Sequence, residues 1–198
     1  MDSRKYWDNK HLDYSTKDWI DRPTIFAQFY IKYFPKKWSL LELGAGQGQD
    51  SRYFAKLGFK VTATDFSERA LDYLREKSER GGLQIITERV DLTKSLPYKV
   101  ESFDVVYSHL ALHYFDRKTT YKIFDDIYRI LKKGGILVVL VNTIDDPEIR
   151  EMEKVEKGYY KDSKGIFKRY FSATSFEKLI KNKFEILILD DKGETYKD

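Results

Sequence analysis

The sequence predicts an α/β domain built on a doubly wound, mostly parallel sheet with helices on both faces. Two observations predict it. Short β-branched runs alternate along the chain with amphipathic stretches of helical period, as in strand–helix–strand units with right-handed crossovers. Two of the runs, 103–108 and 136–142, are nearly all apolar, as strands covered on both faces are. The length of 198 residues suits one domain.

The elements follow in order. Ile25, Phe26, Phe29, Tyr30, Tyr33 and Phe34 recur at helical spacing, with Pro23 suited to a first turn. A strand at 40–43 runs into glycines at 44, 46 and 48. The next helix carries Phe54, Ala55 and Leu57, and Gly58 stops it. A second strand, 60–65, precedes Ser67, a good N-cap for a helix through Ala70, Leu71 and Leu74 to Gly81 and Gly82. Strands are expected at 84–91 and 103–108. Asp116 can cap a helix bearing Phe124, Ile127 and Leu131 that stops at Gly134 and Gly135. A strand at 136–142, a helix at 176–181 with Thr174 and Glu177 spaced as a capping box, and a strand at 185–190 complete the expectation.

Composition narrows the function. The net charge of +4 is too small to argue for nucleic acid by itself. The chain has no cysteine, which excludes disulfides, thiolate nucleophiles and zinc–thiolate sites. The charged N-terminal stretch has no apolar core of a signal peptide, and no run approaches the roughly 20 residues of a membrane span. A soluble, cytoplasmic protein is expected.

The first strand enters Glu42-Leu43-Gly44-Ala45-Gly46-Gln47-Gly48. Glycines let the chain turn sharply and let a ligand approach the backbone, and the helix behind offers unpaired N–H groups to an anion. The dinucleotide fingerprint G-x-G-x-x-G needs its third glycine at position 49, which is Gln49. A carboxylate at Glu42 would also repel a pyrophosphate. The loop suits instead a ligand that carries an amino acid.

The stretch 40–65 resembles motif I and post-I of class I, Rossmann-like S-adenosylmethionine-dependent methyltransferases, in particular the small single-domain group. The resemblance extends from about Trp38 to Asp190. It implies an enzyme that binds S-adenosylmethionine through Glu42, Gly44, Ala45 and Gly46. Asp65 takes the place of the acid that holds the ribose hydroxyls, and Phe66 lies against the adenine. Asp91 and the Leu92 backbone match the contacts to the adenine edge, and Ser108 the backbone contact beside the methionine part. Asp104, at a strand start, is read as structural.

In this family the N-terminal segment often folds over the cofactor. Here it carries Tyr6, Trp7, Tyr14 and Trp19, and Tyr14 and Trp19 are the rings best suited to a cationic sulfonium, although simple packing explains them equally. His11 is read as a surface residue. His109 and His113 follow a strand at its functional end and are the candidate general bases; their spacing of four suggests one helix face. A partly buried imidazole bonded to backbone is the alternative for each. No metal site is expected.

The resemblance divides residues 1–198, a single domain, into a lid or helix at 1–36, a cofactor-binding core at 37–144, a substrate-side segment at 145–184 and a last strand at 185–190. The substrate-side segment mixes Lys154, Lys157, Lys161, Lys164, Lys168 and Arg169 with Tyr and Phe, which suits an anionic substrate or RNA, or simply a solvated helix face. The motif for amino-group methylation of adenine or glutamine is absent, since Ser108-His109-Leu110-Ala111 stands there. A small-molecule acceptor is favoured by elimination. Nucleic acid or protein methylation, and a non-catalytic S-adenosylmethionine sensor, remain alternatives. The family's sheet has seven strands, and the polar tail after 190 does not read as the last one. A truncated chain, a reduced sheet, or a second chain filling the gap in a homodimer would account for that.

Overall fold

A computed structural model describes residues 3–35 and 37–190. Its main sheet has five parallel strands in the order β3-β2-β1-β4-β5: β1 Ser39–Leu43, β2 Lys60–Asp65, β3 Ile85–Arg89, β4 Phe103–His109 and β5 Leu131–Leu140. The helices are α1 Ser3–Tyr14, α2 Ile25–Tyr30, α3 Gln49–Lys56, α4 Glu68–Arg80, α5 Arg117–Ile130 and α6 Ala173–Ile180. The expected α/β architecture with a parallel sheet is present.

Period-two alternation divides the strands between two cores. Leu41, Leu43 and Val106 face Phe124, Ile127 and Leu179 on one side. Leu40, Val61, Ala63, Val105 and Tyr107 meet Phe26, Phe54, Leu71 and Leu74 on the other. Two caps work as expected: the Ser67 hydroxyl accepts from the Ala70 N–H (3.1 Å), and Asp116 accepts from the Thr119 N–H (2.7 Å). Asp50 ties the N-terminal elements to the sheet. Its carboxylate accepts from the Thr24 N–H (2.7 Å), the Thr24 hydroxyl (2.8 Å) and the Tyr107 hydroxyl (2.7 Å). Asp104 holds Ser39 and Lys132 at the strand starts, away from the glycine loop.

Three expectations are corrected. The capping box of α6 is Ser172 with Ser175, two residues before Thr174 and Glu177. The charged segment after β5 is no helix face: it contains the antiparallel strands β6 Glu153–Glu156, β7 Tyr159–Lys161 and β8 Phe167–Arg169, in the order β6-β7-β8. Residues 185–190 form no strand, so the parallel sheet has five strands rather than six among the described residues. The run is apolar enough, but a strand exists only through a partner's backbone. Leu187, Ile188 and Leu189 are left substantially exposed. Among the described residues no helix is long and apolar enough to cross a membrane.

Candidate active site

The strand order reverses between β1 and β4, and a ligand crevice opens beyond the carboxyl ends of strands at such a point. The loop after β1 lies there. Gly44 has φ of +73° and Gly46 of +55°, both in the region that suits glycine. A Cβ on Gly44 would stand 2.2 Å from the Ala111 Cβ, so the loop after β4 rests directly on the glycine turn.

Asp65, at the end of β2, closes the other side of the turn. Its Oδ2 accepts the Gly46 N–H and its Oδ1 the Ser67 N–H, each at 2.8 Å. Each oxygen retains acceptor capacity for a further hydroxyl. Ala45 is buried, and its N–H donates to the Thr64 carbonyl (2.8 Å). Phe66 is half-buried beside the Arg89 guanidinium (5.9 Å to the ring centre). Asp91 is half-buried after β3, where its Oδ1 accepts from the Thr93 N–H and hydroxyl; Leu92 packs against the core. Ser108 is buried, and its hydroxyl joins β4 to β1 through the Leu43 carbonyl (2.8 Å).

Glu42 is buried, with its carboxylate receiving the Ser51 hydroxyl. Burial pushes its carboxyl well above the usual range, and the charges of Asp50 and then Asp65 push the same way. Both effects oppose its ionisation, which weakens the charge argument made from its position in the sequence.

His109 ends β4 with its ring 5.8 Å from Phe26. His113 is buried, and its Nδ1 has no hydrogen-bond partner. Its ring lies 4.3 Å from that of Tyr114, and its carbonyl accepts the Arg169 N–H (2.6 Å). Residues 110–116 form turns rather than a helix, so the two imidazoles do not share a helix face. No group of three potential metal ligands occurs among the described residues.

The N-terminal segment lies over this end of the sheet. Trp7 meets Tyr114 (4.8 Å), Asp8 accepts the Ser67 hydroxyl (2.5 Å), and the Gln47 amide donates to the His11 carbonyl (2.7 Å). Tyr14 packs between His11 (5.7 Å) and Trp19 (5.3 Å). His11, expected at the surface, is buried against Gly46. The signal was available: Trp7, His11 and Tyr14 at i, i+4 and i+7 share one helix face.

The family model described as "Methyltransferase domain" matches residues 41–139, half of the chain, from β1 through β5. The chain belongs to the class I S-adenosylmethionine-dependent methyltransferase family. It is 29% identical over 130 residues to TehB of Haemophilus influenzae, described as a probable S-adenosyl-L-methionine-dependent methyltransferase; the match covers 62% of this chain and 45% of TehB. It is 33% identical over 130 residues to the glycine/sarcosine/dimethylglycine N-methyltransferase of Actinopolyspora halophila, covering 64% and 22%. The chain thus spans less than half the length of either relative. In fold it is similar to 1,6-didemethyltoxoflavin-N1-methyltransferase of Burkholderia thailandensis (TM-score 0.72, 18% identity, 91% and 75% covered).

All three histidines of the chain resist protonation. Burial pushes His113 down to about 3, with Lys168 and His109 adding to it. Burial also lowers His109 and His11, against the upward pull of Asp50 on the first and of Asp65 and Asp8 on the second. An unfolded chain protonates its histidines near pH 6.5, before the fold does, so stability falls as pH drops below about 6.5. Each such proton costs about 1.4 kcal/mol per pH unit. Glu42 works in the opposite sense above the usual glutamate value, but with one proton against up to three. Thermal unfolding followed from pH 7.5 to 5 should therefore show a falling midpoint, and His113→Phe should flatten the slope. A flat wild-type profile would contradict this account.

Proposed function

We propose that this chain binds S-adenosylmethionine at the β1/β4 crevice and transfers its methyl group to a small-molecule acceptor. The observation that carries the reading is the pairing of Asp65 with the Gly46 N–H, a carboxylate held at the edge of a turn that leaves no room for a Cβ. The residues fit the ligand. Asp65 has oxygens left for two ribose hydroxyls, and Phe66 offers an apolar face to the adenine. Asp91 and the Leu92 N–H can serve the adenine edge, Gly44, Ala45, Gly46, Glu42 and the Ser108 backbone the amino-acid half, and Tyr14 and Trp19 a cationic sulfonium. S-adenosylmethionine supplies an already electrophilic methyl, so the protein's task is to align the acceptor at roughly 3–3.5 Å and exclude water. A base is needed only where the acceptor loses a proton, and His109 and His113 are our candidates.

A relative named for glycine, sarcosine and dimethylglycine supports a small acceptor. Two of the six cations named in that segment are neutralised, Lys168 by Glu148 and Arg169 by Glu156, which lessens its attraction for RNA. Residues 1–36 act as lid in this reading, 37–144 as cofactor core, and 145–184 as the acceptor side.

Calorimetric titration with S-adenosylmethionine, with NAD as control, tests the proposal. Micromolar binding of S-adenosylmethionine alone is expected, followed by methyl transfer to a member of an amine and heteroaromatic panel. No binding at millimolar ligand refutes it, and binding without transfer to any acceptor leaves a sensor.

A homodimer is the second part of the proposal. Among the described residues β5 is an outermost strand of the sheet, and the exposed Leu187, Ile188 and Leu189 beside it support self-association. Light scattering is expected to return twice the chain mass, and a monomer at all concentrations refutes it.

A further inference from the structure

We infer that His11 is a cofactor-holding residue, its imidazole making a hydrogen bond to the ribose–methionine half of S-adenosylmethionine through Nδ1. The inference rests on the proposed cofactor site and adds to it a residue from outside the glycine loop and the strand ends.

His11 comes from α1, an element remote in sequence from the crevice, yet its ring lies directly against Gly46 of the turn. Its Cε1 is 3.0 Å from the place a Gly46 Cβ would take, with both ring nitrogens at 3.9 Å. Gly46 is the residue whose N–H is bound to Asp65. The ring therefore borders the place where a ligand held by Asp65 must lie.

The histidine is fastened in that position from both sides. Its carbonyl accepts from Gln47, which in turn receives Lys77 (3.2 Å). Its ring packs on Tyr14 and, more loosely, on Trp7 (6.5 Å). One helical turn earlier Asp8 holds the Ser67 hydroxyl, so α1 is tied to the start of α4 as well.

Within this arrangement Nδ1 is buried and has no hydrogen-bond partner. A buried polar atom without a partner costs about 1–3 kcal/mol. The chain carries that cost here, beside Asp65, as it does also at His113 Nδ1, Ser78 Oγ and Gln49 Oε1. A purely space-filling role against Gly46 would be met by phenylalanine at no such cost. A ligand with hydroxyl and amino groups at this point satisfies the nitrogen.

Two substitutions separate shape from polarity. His11→Phe keeps a flat ring on Gly46 and removes both nitrogens, and His11→Asn keeps a polar atom near the Nδ1 position. Calorimetry with S-adenosylmethionine and with S-adenosylhomocysteine should show binding about tenfold weaker for His11→Phe, the size of one hydrogen bond, and mostly recovered in His11→Asn. As a measurement independent of any variant, the ¹⁵N resonance of His11 Nδ1 in the wild-type protein should move on adding S-adenosylhomocysteine. Equal affinities for wild type and His11→Phe, or an unmoved Nδ1 resonance at saturation, overturn the inference while leaving the cofactor site intact. A wild-type protein that binds neither ligand overturns both.

Discussion

Asp65→Ala is expected to abolish measurable binding of S-adenosylmethionine. The carboxylate has two tasks on its two oxygens: it anchors the N–H groups of Gly46 and Ser67, and it has acceptor capacity left for the ribose. Two charge-assisted hydrogen bonds to the ligand, at about 1.5–3 kcal/mol each, correspond to a loss of at least a hundredfold. The substitution also frees the turn, so the ligand-free protein should melt at a lower temperature. The two effects are distinguishable. If affinity loss came only from a looser fold, it would shrink on cooling to temperatures where the variant is fully folded. An affinity within threefold of wild type under those conditions would remove Asp65 from the site.

Gly44→Ala should be nearly as damaging, for a steric reason. The new Cβ would lie 2.2 Å from the Ala111 Cβ, and neither carbon can move without its backbone. A side chain at φ of +73° adds about 1–2 kcal/mol of strain, and forcing the two loops apart adds about 1–3 kcal/mol. At roughly 2–4 °C per kcal/mol for a chain of this size, the melting midpoint should fall by about 5–15 °C. Cofactor affinity should fall with it, because the displaced loops border the crevice on both sides. Gly82→Ala is the control. It has positive φ (+62°) but no atom within 4 Å of its Cβ position, so it should show the smaller strain cost and no change in affinity. A Gly44→Ala protein that binds and melts like wild type would mean that the loop after β4 does not rest on the turn in solution.

The sequence by itself determined what local chemistry encodes. β2 falls at the expected residues 60–65, β1, β3 and β4 lie within a residue or two of theirs, and β5 was recognised although it begins earlier, because β-branched runs and their flanking turns are read over a few neighbours. Ser67 and Asp116 cap the helices expected of them, since a cap needs only a side chain and an N–H three residues on. The alternating glycines after a strand marked the crevice, and the family comparison agrees with the cofactor class that this turn suggested.

What only the tertiary structure decided depends on which surfaces meet. The run 185–190 has strand composition but joins no sheet among the described residues, and the charged segment before it became three short strands because residues far apart in it pair. Glu42 reads as a charged carboxylate beside a loop until the burial of β1, with Asp50 and Asp65 close by, raises its carboxyl. His11 sits in a polar stretch and reads as exposed. Docking of α1 across the glycine turn alone buries it, because burial belongs to the face a helix presents and to the surface that receives it, neither of which a single segment encodes.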